Sequence, residues 1–326
     1  MPPTNKVDDP ADAEKTRLAV CPRISLLPAR YTKTVHFVRH GQGFHNVAGH
    51  IDHELYKSEE YADAHLTELG WQQAEALGRH VASTRLPVDL VVVAPLQRAL
   101  ETAVAAFGRL APADGAAGPG PGSNGNGANG NGANGANGNG YSAGANGPLL
   151  MAAQEAVPGK KAAHVAVWGG GCPPFVAHEL CREHIGVHPC DRRSSVALYR
   201  ERFPGVDFSL VQPDGDVLWT LEHRETKDEI RRRGLAFLKW LAARPERSIA
   251  VVTHSSFLHF TLGTFAHQAA QPVQAELHKW YENCEMRSVV LSDDSEEGAE
   301  AVGAVKDPWH FAGGAAAVGG DGGAAH

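Results

Sequence analysis

Apolar positions along this chain switch between two periods. Residues 34–38 (TVHFV) are short and β-branched, which predicts a strand. Residues 88–93 (VDLVVV) form a continuous apolar run stopped by Pro95, and residues 248–253 (SIAVVT) form another. Between the runs the spacing turns helical. Trp71, Ala74, Leu77 and Val81 follow Thr67; Leu96, Ala99, Leu100, Ala103, Val104 and Phe107 make a regular stripe; Ile230, Phe237 and Leu241 mark a further helix, and residues 255–267 one more. Residues 174–181 read as a strand and 287–291 as the last one. Buried strands alternating with helices predict an α/β domain of three layers, a mostly parallel central sheet with helices on both faces.

Composition divides the chain. Between Arg109 and Glu155 the only charged residue is Asp114, and the stretch is mostly Gly, Asn and Ala. Such a segment has nothing to bury and cannot offset the entropy of ordering. The expected organisation is a disordered lead-in over 1–30, one domain over 31–311 interrupted by an insert at 112–147, and a disordered tail over 312–326. Without insert and tails, roughly 240 residues remain, enough for one well-buried α/β core.

The formal charge of −7 disfavours a general nucleic-acid binder, so an anionic ligand has to be met by a local basic cluster. Apolar runs stay short of the roughly 18 residues of a membrane span. The first residues are acidic and lack an apolar core for export. Five cysteines, an odd number widely spread, point to a reducing compartment. A cytoplasmic monomer or weak homodimer is expected, with no membrane or nucleic-acid partner.

In open parallel sheets ligands bind beyond the carboxyl ends of the strands. Arg39 and His40 follow the first strand, Arg98 lies one turn into the helix after Pro95, and His254 follows Thr253. Two guanidinium forks suit a tetrahedral dianion. A histidine among them can attack phosphorus or carry a proton near neutral pH.

Taken together, VRHGQGFHNV (38–47), APLQRALETA (94–103) and VVTHSSFLH (251–259) resemble the three motifs of the histidine phosphatase superfamily, with its phosphoglycerate-mutase-like fold. The middle of the chain, ELCREHIGVHPCDRRSS (179–195), FPGVDFS (203–209) and HRETKDEI (223–230), resembles the plant and fungal phosphoglycerate mutase-like proteins. That subgroup is usually assigned phosphatase activity or a role in carbohydrate metabolism. The resemblance implies a metal-independent, cofactor-free phosphatase for a small phosphorylated substrate. His40 would be the nucleophile and transient phosphohistidine. Arg39, Asn46, Arg98 and His254 would hold the phosphoryl oxygens, and Gly41 would let the backbone turn sharply behind the nucleophile. The family's proton donor often stands in Leu-x-Glu. Glu183 in Cys181-Arg182-Glu183 fits that shape, with Glu179 as runner-up. True mutases read Glu-Arg-His-Tyr-Gly there, whereas this chain has Glu183-His184-Ile185-Gly186, so water is the expected phosphoryl acceptor. A mutase, a protein phosphatase and a catalytically dead phosphate-binding scaffold stay open as alternatives.

Other residues have plainer readings. His36, inside a strand, reads as structural or solvated, and His45, inside the first motif, is a secondary candidate for touching substrate. Arg231, Arg232 and Arg233 form a solvated helix face. Asp191, Arg192 and Arg193 form structural ion pairs, one arginine having an outside chance of reaching the substrate. His178, Cys181, His184, His188 and Cys190 crowd into a window where zinc ligands can stand, but no second pair at finger spacing supports a site.

Overall fold

The structure is a computed structural model describing residues 27–110, 147–265 and 269–293. The expected tail and nearly all of the lead-in and insert lie outside these residues. Among the described residues no helix is long and apolar enough to cross a membrane.

Six strands form the main sheet: β1 (Thr32–Arg39), β2 (Leu90–Val93), β6 (Phe175–Ala177), β7 (Val206–Asp207), β8 (Ser248–Thr253) and β9 (Met286–Ser292), in the spatial order β7-β6-β2-β8-β1-β9. All pairings are parallel except β1 with β9. Every residue of β2 and β8 is buried, which is why their sequences read as unbroken apolar runs. The helices are α1 (Phe44–Ile51), α2 (Glu68–Thr84), α3 (Gln97–Phe107), α4 (Val196–Arg202), α5 (Lys227–Ala242), α6 (Ser255–Gly263) and α7 (Gln271–His278). Thr67 starts α2 by accepting a hydrogen bond from the Gly70 N–H at 3.0 Å, and Thr226 and Glu229 form a reciprocal cap on α5.

From β1 the chain steps to β2, on to β6 and out to β7 at the edge, then reverses to reach β8, which lies between β1 and β2. Right-handed crossovers therefore put α2 and α3 on one face and α5 on the other. α2 packs on α3, and α5 packs on α6. The reversal makes β8 the switch point, and a crevice opens at the carboxyl ends of β1, β8 and β2.

Several expectations change. The strand expected over 174–181 is only Phe175–Ala177, because the chain turns at His178 into a 3-10 helix, Glu179–Cys181. The helix expected to run to residue 267 ends at Gly263. A separate three-stranded sheet, β3 (Arg109–Leu110), β5 (Val167–Trp168) and β4 (Leu149–Met151), was not foreseen: β3 and β4 flank the insert, and both pair antiparallel with β5. Strands of two or three residues carry no readable period.

Candidate active site

Parallel register builds the site. Arg39 pairs with Thr253 at the ends of β1 and β8, so His40 and His254 leave two neighbouring strands at the same level. Their ring centroids are 5.0 Å apart. Val93 of β2 pairs with Val252, and the chain then delivers Arg98 in the first turn of α3. Ala177 of β6 pairs with Val93, and the turn beyond it carries Glu183.

These elements surround a cavity of about 260 Å³ lined by Arg39, His40, His45, Asn46, Arg98 and Glu183 on its inner side. The tautomer of His40 follows from its partners. Nδ1 lies 2.7 Å from the Gly41 carbonyl, which can only accept, so Nδ1 carries the proton. Nε2 is then a lone pair, and it accepts from Nε of Arg98 at 3.3 Å. Burial, Arg98 and Arg39 hold this imidazole well below its ordinary 6.5, against the Gly41 bond that works the other way. Gly41 has a role the sequence did not suggest. Among the described residues it is not one of the glycines in the left-handed region, but a Cβ there would meet the Gly70 carbonyl oxygen at 2.6 Å. It is small because the backbone of α2 comes against it, not because the chain turns sharply.

Arg98 is fully buried. It donates to the Cys190 carbonyl at 2.5 Å and to Asp191 Oδ1 at 2.8 Å. Burial is the largest influence and opposes its charge, but Asp191 and the other acidic groups around it, Glu183 and Asp63 among them, together outweigh burial and raise its pKa. Asp191 Oδ2 accepts from Arg224, 3.0 Å away. The expected ion pairing at 191–193 is thus present, but Asp191 serves Arg98 and the site. Arg193 holds Glu179, Arg192 holds Glu59, and neither arginine lines the cavity. The third arginine of the wall, beside Arg39 and Arg98, is Arg224, which sequence reasoning missed.

Glu183 and Glu179 separate clearly. Glu183 lines the cavity and accepts backbone N–H groups from His184 at 2.9 Å, Phe257 at 3.1 Å and Ser256 at 3.4 Å, the last two in the first turn of α6. Glu179 lies away from the cavity, bonded to Arg182 and Arg193. Arg233, expected on a solvated face, instead turns inward: it donates to the carbonyls of Leu180, Arg182 and Glu183 and pairs with Glu225. It clamps the turn that presents Glu183. Arg231 and Arg232 are exposed as expected.

Four buried polar atoms around His40 have no partner: Nε of Arg39, Nδ1 of His45 and both ring nitrogens of His254. His254 is fully buried with its ring centroid 5.0 Å from that of His40, and beyond it the chain lines the cavity with Ser255 and Ser256. Burial and nearby Arg98 hold both His45 and His254 well below 6.5. Asn46 caps the Gly43 N–H with Oδ1 and turns Nδ2 to Nε2 of His45, 3.1 Å away. His36 bridges Ser288 and Ser248 across the sheet and is structural.

The crowded Cys/His window splits. His178 packs edge-on against Trp240, and His184 bonds the Glu225 carbonyl. His188 and Cys190 stay together with Asp191, their ligand-type atoms within 4.8 Å. Both Asp191 oxygens are already taken by guanidinium groups, and burial and Asp191 push the Cys190 thiol well up. The donor set suits two arginines better than a metal ion.

A model of the histidine phosphatase superfamily (branch 1) matches residues 35–113. A phosphoglycerate mutase-like protein of Arabidopsis thaliana is 40% identical over 280 residues, 85% of this chain and 91% of the relative. Phosphoglycerate mutase-like protein 2 of the same plant is 40% identical over 83% of this chain and 78% of its own length.

Proposed function

Because the chain belongs to the histidine phosphatase superfamily, among its phosphoglycerate mutase-like proteins, we propose that it hydrolyses a small phosphomonoester through a phosphohistidine on Nε2 of His40. The observation that carries this reading is the set of unpartnered polar atoms beside an unprotonated imidazole nitrogen. Buried polar groups without partners are costly, and the oxygens of a tetrahedral phosphoryl group would accept from Nε of Arg39, Nδ1 of His45 and the protonated ring nitrogen of His254.

In this mechanism Nε2 of His40 attacks phosphorus as the ester P–O bond breaks. Glu183, as the acid, gives its proton to the departing alkoxide oxygen. Arg39, Asn46 and Arg98 hold the phosphoryl oxygens, and His254, with both ring nitrogens unpartnered beside His40, stabilises the charge of the transferring group. Water then attacks the phosphohistidine, Glu183 takes its proton, and inorganic phosphate leaves. Positioning and preorganised charge supply most of the rate. No metal or cofactor takes part in this reading. Water is the acceptor because the chain lacks the Arg-His-Tyr sequence with which mutases follow their acid.

Rapid quench of the purified chain with a radiolabelled aryl phosphate tests this. The label should sit on His40, labile to acid and stable to alkali, and should be absent from His40→Ala. Label on a serine or aspartate would overturn the mechanism. Phosphate binding without turnover on any ester would favour the scaffold, and isomerisation of 3-phosphoglycerate faster than phosphate release would favour a mutase.

A further inference from the structure

The cavity has a second end that phosphoryl transfer leaves unused. His53, Tyr56 and His188 line it beside Arg224. Tyr56 and His188 lie nearly parallel, 15° apart with centroids at 5.8 Å, and His53 meets Tyr56 edge-on at 5.2 Å. The tyrosine seat is built for it: a Cβ on Gly49 would come within 2.1 Å of the Tyr56 ring. On the other side, Trp219 Nε1 donates to the His188 carbonyl at 2.8 Å and fixes that loop. Burial and Arg224 hold the His188 imidazole down to about 4, so it is uncharged at neutral pH.

Charge around the cavity limits what fits. Three guanidinium groups (Arg39, Arg98, Arg224) face two carboxylates (Glu183, Asp191) among the described residues of the wall. The formal balance is one positive charge, or two when Glu183 carries the proton required of an acid. A phosphoryl dianion uses up either. Arg98 and Arg224 moreover share Asp191 as their counter-ion, so once the phosphoryl group is bound the wall has no net positive charge left for a carboxylate or a second phosphate. A further anion entering a partly desolvated cavity without a partner is strongly disfavoured.

We propose that Tyr56, His188 and His53 form a leaving-group subsite selecting phosphomonoesters of uncharged, ring-bearing alcohols, whose ring packs against the stacked Tyr56–His188 pair. The subsite rejects esters that carry a second anionic group. The inference rests on the phosphomonoesterase reading and names its substrate class. An aryl ring and a pyranose both offer a flat face, to π-stacking in one case and to C–H contacts in the other.

Binding of phosphonates, which cannot be hydrolysed, separates this inference from the catalytic reading. Calorimetry on the full chain compares benzylphosphonate, a glucopyranosylmethylphosphonate, propylphosphonate and 3-phosphonopropionate. One or both ring ligands should bind roughly fivefold or more tighter than propylphosphonate. 3-Phosphonopropionate should bind at least about fivefold more weakly than propylphosphonate. In Tyr56→Ala the ratio of ring to propyl affinity should fall to about one, and in Tyr56→Leu, which keeps bulk against Gly49, to about half its value or less. Which ring ligand leads identifies the aryl or the pyranosyl source. Equal affinities for all four ligands, preference for the carboxylate, or an unchanged ratio in both variants would overturn the subsite. Failure to trap a phosphohistidine would overturn the catalytic reading and leave this measurement to stand by itself.

Discussion

Nε of Arg98 donates to Nε2 of His40 across 3.3 Å, while its two terminal nitrogens are held by the Cys190 carbonyl and Asp191. The guanidinium is therefore fixed in place beside the nitrogen proposed to attack phosphorus. Arg98→Met should lower kcat/KM by about 10²–10³. It should also cost about 3–5 kcal/mol of stability, because a buried ion pair loses one member. Adding Asp191→Leu should restore much of the stability in urea unfolding without restoring turnover. Recovery of both together would mean that Arg98 acts only as a structural partner.

Glu183 and Glu179 are separable by leaving group. Glu183→Gln should slow hydrolysis of alkyl phosphates by about 10²–10³ and of an activated aryl phosphate much less, since an acid matters most when the departing oxygen is basic. Glu179→Gln, which removes charge from the Arg182 and Arg193 cluster, should lower the melting temperature and slow both esters by similar factors. Selective loss in Glu179→Gln would reverse the assignment.

Depressed imidazoles set the pH response, with His36, His178, His188 and His259 adding to three in the site. His40, His45 and His254 all titrate below the ordinary 6.5 when folded. As pH falls the unfolded chain takes up protons before the folded one. Their contribution to stability is full above 6.5 and is lost from there down towards the folded values, at about 1.4 kcal/mol per pH unit for each imidazole. His254→Asn should flatten that slope by one imidazole's share, at most about 1.4 kcal/mol per pH unit, in urea unfolding below pH 6.5. The proposed nucleophile, His40, also stays unprotonated, so the acid limb of kcat/KM should lie below 6.5. A limb at the ordinary histidine value would contradict the burial described for His40.

The insert should be dispensable. Its flanking strands, β3 and β4, both pair with β5, so a short connection can join them. Excising residues 119–146 should leave kcat/KM within about twofold and the melting temperature within about 2 °C, because loop length acts on stability only weakly. A larger loss of either would assign the segment a structural or catalytic part.

Much of this protein is written locally. Strands such as 248–253 and the Leu96–Phe107 stripe show in the sequence because burial on a sheet or along a helix face repeats at a fixed period. Arg39, His40, Arg98 and His254 were legible for the same reason, since each stands one or a few residues beyond a readable strand. Spacing alone left Glu183 and Glu179 open. Only the folded chain separates them, by giving Glu179 two arginine partners and turning Glu183 into the cavity. Arg233, Arg224, Tyr56 and His188 had no local signal either. They sit in irregular segments or on a helix that looks solvated, and their roles depend on partners tens of residues away: Arg224 with Asp191, Arg233 with the Glu183 turn, Tyr56 stacked on His188. Periodicity encodes which residues are buried. Which polar groups meet across loops is decided by packing in three dimensions, where each pairing is long-range and leaves no pattern in the chain.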